Sequence, residues 1–164
     1  MFNLFKKKEE VKKETELFSP ITGTFMKITE VKDPLFSQKM MGDGFAVYPS
    51  DLDSAVVSSP VEGKIISIFP TKHAIGLQAI NGEEVILHIG INTVDLNGVP
   101  FDLLVKEGQE VTQDTKLIKM NLSYLKDKEI DPSVIVVFTN LEEKLLEIKE
   151  VENVQNSELL GRIK

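Results

Sequence analysis

From Leu17 onward the chain is a succession of short apolar or alternating runs separated by turn-forming residues. The runs are rich in Val, Ile, Phe and Thr, which favour extended backbone, and the breaks contain Pro, Gly, Asn and Asp. This rhythm predicts an all-β fold, an antiparallel sandwich or barrel. A length of 164 residues, 41% of them hydrophobic, fits one domain with a single sizeable core.

A short internal repeat supports this fold. Residues 19–23, SPITG, return forty residues later as SPVEG at 59–63, and each copy leads into an apolar segment. Turn residues at matching offsets indicate a duplicated strand-turn unit. A glycine turn between strand-like pieces follows at 105–120, and the last six residues are expected to form a closing strand. Two short helices are predicted, at 122–128 and at 141–149.

The first sixteen residues differ in composition, being dense in charge and lacking sheet-like alternation. They are predicted to form a flexible tail, with one domain covering 17–164. Apolar residues followed by three lysines within residues 1–8 suggest weak contact with an anionic membrane, and a solvated leader is the alternative. No stretch has the length of a membrane span and no signal peptide is recognisable, so a cytoplasmic protein is expected.

Composition excludes several classes of chemistry. The chain has no cysteine, which excludes disulfides, zinc-cysteine clusters and cysteine nucleophiles. Its net charge of -7 argues against nonspecific binding to nucleic acid, whose phosphates attract clustered Lys and Arg. A His-x-His zinc peptidase would need a third ligand and a further histidine. The chain has only two histidines, so no metal is expected.

Those two histidines lie in neighbouring runs joined by Asn81-Gly82, a dipeptide that favours a tight two-residue β-turn. If these two residues form the loop, His73 lies opposite Gly90 and His88 opposite Ile75. Both imidazoles then project from one face as diagonal neighbours, with Cβ atoms roughly 7 to 8 Å apart. An odd-length loop or a bulge would separate them in this scheme.

The histidine face would carry polar and aliphatic groups, whereas the opposite face would be a continuous aliphatic row of the core. The predicted histidine face consists of Thr71, His73, Ile75, Ile86, His88, Gly90 and Asn92. The predicted core row consists of Val85, Leu87, Ile89 and Ile91. A neutral imidazole is a usable nucleophile near neutral pH, and a second ring can stabilise an adjacent anion. Phosphoryl transfer needs little beyond such a nucleophile and such a stabilising group. On geometry alone, the alternative is that both histidines have only a structural role in their strands.

These segments resemble the glucose-type EIIA proteins and domains of the bacterial phosphoenolpyruvate-dependent sugar phosphotransferase system. The family's histidine signature is matched without a gap by Gly82, Val85, Ile86, His88, Ile89, Gly90, Ile91, Thr93 and Val94. Upstream, Phe69, Thr71 and His73 match the segment bearing the family's second histidine, and FSQKMMGDG at 36–44 matches another block. The similarity extends from about Phe18 to the C-terminus.

The resemblance implies a phosphocarrier that acts as a monomer without a cofactor. His88 would accept a phosphoryl group at Nε2 from phospho-HPr and pass it to an EIIB domain. His73 would stabilise the transferring group and Thr71 would orient His73. The family's partner-binding positions correspond here to Asp33, Leu35, Phe36, Met40, Met41, Phe69, Ile86, Asn92 and Val94. Relatives commonly have aspartate where this chain has Asn92, so docking there should be weaker or differently tuned.

Two other functions remain open. A regulatory module, whose output is its phosphorylation state, is compatible with the same site. A biotinyl or lipoyl carrier is suggested by the similarity of 105–120 to hairpins of that type and by Lys119 before Met120. The flank on the other side of Lys119 does not match, so an ordinary strand lysine is the preferred interpretation.

Overall fold

The computed structural model describes residues 14–50 and 54–164, which form β-strands, two short α-helices and two 3-10 helices. The helices are α1 (Pro34–Ser37) and α2 (Leu122–Asp127), and the 3-10 helices are Ile28–Glu30 and Thr93–Leu96. The strands are β1 (Thr15–Phe18), β2 (Gly23–Lys27), β3 (Asp43–Pro49), β4 (Ser54–Ser58), β5 (Gly63–Ile68), β6 (Ala74–Ala79), β7 (Glu84–Ile89), β8 (Phe101–Leu103), β9 (Glu110–Val111), β10 (Lys116–Asn121), β11 (Val134–Phe138), β12 (Leu146–Ile148), β13 (Asn153–Val154) and β14 (Leu159–Ile163).

The strands form one large sheet and two small ones. The large sheet has the order β13-β2-β3-β11-β7-β6-β5-β9, and the small sheets have the orders β1-β14-β12 and β4-β10-β8. Every pairing in them is antiparallel. Buried residues from all three sheets, among them Leu17, Val57 and Leu87, share one core. The all-β sandwich predicted from the sequence is confirmed, as are the helix at 122–128 and the closing strand.

Strand β11 lies at the centre of the large sheet and is buried on both faces, because its five residues are VIVVF. One face belongs to the main core. The other face, with Ile135 and Val137, packs with Phe36 in a second, smaller apolar cluster under α1 and the 3-10 helix 28–30. His88 is the residue of β7 opposite Ile135. The candidate site therefore borders a small cluster of its own on the outer face of the sheet.

The predicted repeat is a structural one. In each copy the serine hydroxyl donates to the carbonyl oxygen two residues ahead, over 2.7 Å in 19–23 and 2.6 Å in 59–63. Each copy leads into a strand, β2 or β5. The two turns also exchange backbone hydrogen bonds, from Phe18 N to Pro60 O and from Ser58 N to Pro20 O. The duplicated unit thus closes the sandwich at one end.

Two predictions about secondary structure are wrong. Residues 141–149 form no helix, because 146–148 pair with β14 as strand β12. Leu145, which helical spacing would place on one apolar face with Leu141 and Ile148, is 72% exposed. The folded region begins earlier than predicted, since Thr15 and Glu16 pair with β14 instead of ending a tail. The rest of the predicted tail, 1–13, and its membrane-contact segment 1–8 lie outside the described residues.

Among the described helices, none has the length and apolar character needed to cross a membrane. Lys119 lies inside β10, paired with Val56 of β4 and Asp102 of β8. An ordinary strand position fits this lysine better than an exposed attachment site at the end of a hairpin.

Candidate active site

The hairpin that carries the histidines has a three-residue loop, Ile80–Gly82, instead of the predicted two-residue turn. Ala79 N donates to Glu83 O over 2.8 Å, and Gly82, whose φ is 98°, donates to Ala79 O over 2.9 Å. The left-handed glycine is what a three-residue hairpin loop requires. The register shifts by one residue as a result, so Ala74 lies opposite His88. The predicted pairs His73–Gly90 and His88–Ile75 are wrong.

The shift moves Ile75 off the histidine face. It pairs with Leu87 and is fully buried in the main core. The predicted aliphatic row holds for Val85, Leu87 and Ile89, which all lie in that core. Ile91 belongs instead to the second apolar cluster on the outer face. One slip in register changes which side of a sheet a residue faces, because side chains alternate along a strand.

The two imidazoles nevertheless lie side by side, with ring centroids 5.1 Å apart and planes at 78°. His73 reaches this position because it precedes β6 in a bend, after Lys72 in a left-handed conformation with φ of 58°. Its carbonyl still accepts a hydrogen bond from Ile89 N over 2.7 Å. The predicted juxtaposition is confirmed, but the bend brings it about instead of the pairing pattern.

The ring of His73 is held on two sides. Oγ1 of Thr71 lies 2.6 Å from its Nδ1, within hydrogen-bonding distance. The ring of Phe69 meets it edge-on, with centroids 5.5 Å apart. His73 is only 7% exposed. Because Nδ1 is occupied by Thr71, Nε2 is the nitrogen of His73 that remains for a ligand.

The ring of His88 rests on Phe36, with centroids 5.0 Å apart. Phe36 is 1% exposed and packs in the second apolar cluster. The sequence suggested that Phe36 contacts a docked partner. Its buried side chain is not available for that contact and instead packs beneath His88. Nδ1 of His88 is enclosed and makes no well-formed hydrogen bond to any described residue. The enclosure of Nδ1 leaves Nε2 as the ring nitrogen that a ligand could reach.

The turn after β7 is fixed by Thr93 of the histidine signature and by Asp131 and Ser133, which the sequence did not single out. Gly90 N donates to Ser133 O over 2.8 Å and Ile91 N donates to Asp131 O over 2.9 Å. The buried Thr93 hydroxyl donates to Ile89 O. Gly90 has φ of 78°, and a Cβ there would lie 2.5 Å from Cγ2 of Thr93. Only glycine fits this turn, which sets the backbone beside Nδ1 of His88.

Both imidazoles are neutral at pH 7. Burial, assisted by the nearby His73, lowers the pKa of His88 from 6.5 to about 4, with the Gly90 backbone and the carboxylate of Asp33 acting in the opposite direction. Burial also lowers the pKa of His73. A neutral imidazole retains the lone pair that nucleophilic attack requires. The site is therefore poised to react as a base or nucleophile.

The other predicted docking residues surround the histidines with differing exposure. Four apolar side chains are exposed: Leu35 by 42%, Met40 by 68%, Phe69 by 37% and Val94 by 47%. Asn92 is exposed too, whereas Asp33, Met41 and Ile86 are half-buried. We call these eight residues, without Phe36, the docking rim. Asp33 has a second task, since its Oδ1 accepts from Leu35 N over 3.0 Å and caps α1.

A metal site needs several His, Asp or Glu side chains close together. Within 14–50 and 54–164, no cluster of three or more His, Asp or Glu side chains could hold a metal ion. The site offers two neutral imidazoles, one hydroxyl and backbone groups, bordered by the docking rim, whose exposed side chains are mostly apolar.

Comparison with known proteins gives a consistent result. Residues 15–144 match the family model described as phosphoenolpyruvate-dependent sugar phosphotransferase system, EIIA 1. The glucose-specific EIIA component of Staphylococcus aureus strain COL is 42% identical over 140 residues, covering 85% of this chain and 82% of that protein. The corresponding Staphylococcus epidermidis RP62A component is 39% identical over 156 residues, covering 94% of this chain and 92% of that protein.

A solved structure is similar over almost the whole length of the chain. The glucose permease IIA from Mycoplasma capricolum superposes with a TM-score of 0.82 at 38% sequence identity, covering 93% of this chain and 96% of the other. The family match spans most of the chain, and it includes both histidines and their turn. This chain therefore belongs to the EIIA 1 family of the phosphoenolpyruvate-dependent sugar phosphotransferase system.

Proposed function

We propose that this protein is a phosphocarrier in sugar uptake and that His88 carries the phosphoryl group. One observation supports the proposal above the others: Nδ1 of His88 is enclosed while a second imidazole lies 5.1 Å away, centroid to centroid. With Nδ1 protonated, the lone pair is on Nε2, the accessible nitrogen. The ring can then accept a phosphoryl group without first losing a proton.

The transfer is a displacement at phosphorus. The Nε2 lone pair of His88 forms a bond to phosphorus as the N–P bond of phospho-HPr breaks, and the electron pair of that bond returns to the HPr imidazole. The second transfer repeats the displacement, with an EIIB domain as acceptor. Such transition states need alignment of donor and acceptor and charge stabilisation at the peripheral oxygens. The chain belongs to a phosphotransferase relay and needs no bound cofactor for this chemistry.

His73 supplies the stabilisation. Its Nδ1 is engaged by Thr71, so its Nε2 can donate a hydrogen bond to a phosphoryl oxygen on His88. The added dianion raises the pKa of the adjacent imidazole, because an opposite charge nearby favours the protonated form. His73 then becomes a cation only when the phosphoryl group is present. Thr71 fixes the ring in the orientation that this hydrogen bond needs.

The docking rim serves both partners. HPr and an EIIB domain are unlike proteins that must approach the same Nε2 atom in turn. Exposed Leu35, Met40 and Val94 provide an apolar surface, and flexible thioethers repack readily against different shapes. Asp33 and Asn92 add a polar edge to this surface. We propose that the protein performs this relay as a monomer in the cytoplasm.

A reconstituted relay tests the proposal. The purified chain is mixed with phosphoenolpyruvate, Enzyme I and HPr, and phosphate uptake is followed by intact mass. Wild type should gain one phosphoryl group and pass it to an added EIIB domain. His88→Ala should gain none. His73→Gln should accept the group but donate it poorly. Equal labelling of His88→Ala would transfer the acceptor role to another residue and refute the proposal.

A further inference from the structure

The chain contains two Asn-Gly dipeptides, Asn81-Gly82 and Asn97-Gly98, and the structure treats them differently. In this dipeptide the glycine amide nitrogen can attack the asparagine carboxamide, because glycine offers the least steric hindrance. Hydrogen bonds that hold the glycine N–H or the carboxamide oppose the attack. The partners of these two groups therefore indicate which dipeptide is chemically vulnerable.

Asn81-Gly82 is held at both reacting groups. The Gly82 amide donates to Ala79 O over 2.9 Å as part of the hairpin loop. The Asn81 carboxamide donates from Nδ2 to Oγ1 of Thr15 over 3.0 Å. Attack at this dipeptide has to break both bonds.

The reacting groups of Asn97-Gly98 are held by fewer hydrogen bonds, although Gly98 itself is buried. Both residues are left-handed, with φ of 54° and 80°, and a bond from Val99 N to Leu96 O over 3.1 Å closes the turn. Asn97 is exposed. Within the described parts of the chain, neither its carboxamide nor the Gly98 amide makes a hydrogen bond. The bond from Asn97 N to Val94 O is long, at 3.4 Å.

We propose that Asn97 is a site of spontaneous deamidation and that its conversion to isoaspartate impairs the phosphoryl relay. The Gly98 nitrogen bonds to Cγ of Asn97 and ammonia leaves, which forms a succinimide. Water then opens the ring to aspartate or isoaspartate. Overall one water is consumed and one ammonia released, with no oxidant or reductant.

The position of this turn connects the modification to the candidate active site; this part of the inference rests on the proposed function. A Cβ on Gly98 would lie 3.3 Å from Thr71 O, so the turn packs against the residue that orients His73. The turn also ends the 3-10 helix 93–96, which carries Val94 of the docking rim. Isoaspartate inserts an extra carbon into the main chain and adds a negative charge. Neither fits a turn closed by one hydrogen bond.

The site is tested by ageing the full chain at pH 8 and 37 °C and following both dipeptides by peptide mass spectrometry, with isoaspartate detected by methyltransferase labelling. Asn97 should convert at least about tenfold faster than Asn81, because each protecting hydrogen bond contributes roughly a factor of five. Asn97→Gly keeps the left-handed backbone and should abolish the labelling, whereas Asn81→Gly should leave it unchanged. Conversion of Asn81 at an equal or higher rate than Asn97 would overturn the assignment of Asn97 as the deamidation site.

The consequence is tested on intact and aged protein separated by ion exchange. The isoaspartate fraction, once phosphorylated, should transfer its phosphoryl group to EIIB several-fold more slowly, about a factor of five for a weakened hydrogen bond between Thr71 and His73. Repair by the methyltransferase should restore the rate, and aged Asn97→Gly should keep it. Equal rates for intact and aged protein would overturn the link to the relay. If intact protein accepts no phosphate, the proposed function fails. Peptide mass spectrometry then still shows whether Asn97 is the deamidation site.

Discussion

Oγ1 of Thr71 lies 2.6 Å from Nδ1 of His73, and this contact fixes which nitrogen of His73 faces the candidate phosphorylation site. The two residues lie on either side of left-handed Lys72, where the chain bends into β6. The hydroxyl therefore orients an imidazole that the sheet itself does not hold.

Replacing Thr71 with valine should test the orientation of the His73 ring without disturbing the fold of the loop. Valine has nearly the same shape but lacks the hydroxyl, so His73 loses its Nδ1 partner while the loop keeps its packing. Transfer from phosphorylated protein to EIIB should slow about tenfold, the cost of one hydrogen bond in the transition state. Thr71→Ser should retain most of the rate. Quench-flow measurement of the transfer checks this, and a valine variant as fast as wild type would remove Thr71 from the mechanism.

The sequence predicted that the histidines meet, but for a reason the structure does not support. Asn-Gly is compatible with a two-residue turn and also with a three-residue loop ending in a left-handed glycine, and Gly82 adopts the second arrangement. The pattern of residues alone does not distinguish these loops. The bend at Lys72 then compensates for the altered register, and a bend at a non-glycine residue leaves no compositional signal.

Local signals also explain which helices were found. Asn121 accepts from Tyr124 N and caps α2, a start signal readable in the sequence. Asp33 and Pro34 give the same kind of signal for α1, which was overlooked because four residues are too few to show helical periodicity. Residues 141–149 have helical spacing, but 146–148 pair with β14, and this tertiary pairing overrides the weak local preference.

The lowered pKa of His88 predicts a distinctive pH response. Burial moves it from 6.5 to about 4, so the imidazole remains neutral through the acidic range in which an exposed histidine becomes charged. An NMR titration should show His88 changing protonation near pH 4. His73, also lowered by burial, should titrate below an exposed histidine. A midpoint for His88 near 6.5 would contradict the enclosed environment described above.

The same shift affects stability in a defined direction. The unfolded chain binds a proton at His88 below pH 6.5, whereas the folded chain does not until about 4. Stability is therefore lost as pH falls through this window, by about 3 kcal/mol at most, and is fully present above it. Urea unfolding of wild type and His88→Gln at pH 7 and pH 5 checks this. The glutamine variant should lose less stability than wild type between these two values.

Glu83 is a buried carboxylate paired with Lys144. Because of its burial, removing Lys144 should destabilise the fold far more than removing a lysine from an exposed ion pair. Glu83 is 3% exposed, accepts from Lys144 and from Thr15 over 2.7 Å each, and has a lowered pKa because the hydrogen bonds from these two residues, with the backbone, outweigh burial. Lys144→Met leaves this carboxylate without its cation and should cost about 2 kcal/mol. Lys39→Met breaks only the exposed pair with Asp43 and should cost less than about 1 kcal/mol.

Chemical denaturation at pH 7 measures both variants under one condition. Because the lowered pKa of Glu83 stabilises the fold only while the carboxylate is ionised, the difference between wild type and Lys144→Met should shrink as pH falls below 4.5. A constant difference down to pH 3 would show that the lysine stabilises through packing of its aliphatic chain instead.

Asn92 is one of the docking-rim residues, at a position where the family resemblance implies aspartate, and its backbone is left-handed with φ of 62°, a conformation that Asn and Asp both tolerate. Asn92→Asp should therefore fold unchanged and place a carboxylate beside the site. A basic residue of HPr would then meet an opposite charge, which raises the association rate most at low salt, where screening is weak.

The gain in association rate should be several-fold at 20 mM salt and fall toward zero at 0.5 M, about the scale of one exposed ion pair. Surface-binding kinetics of HPr across this salt range measure it, with Asn153→Asp as a control that adds the same charge at an exposed position of edge strand β13, which β2, β3 and β11 separate from β7. An Asn92→Asp protein that binds HPr no faster than wild type at low salt would show that the missing aspartate has no part in docking, and equal gains in both variants would reduce the effect to net charge.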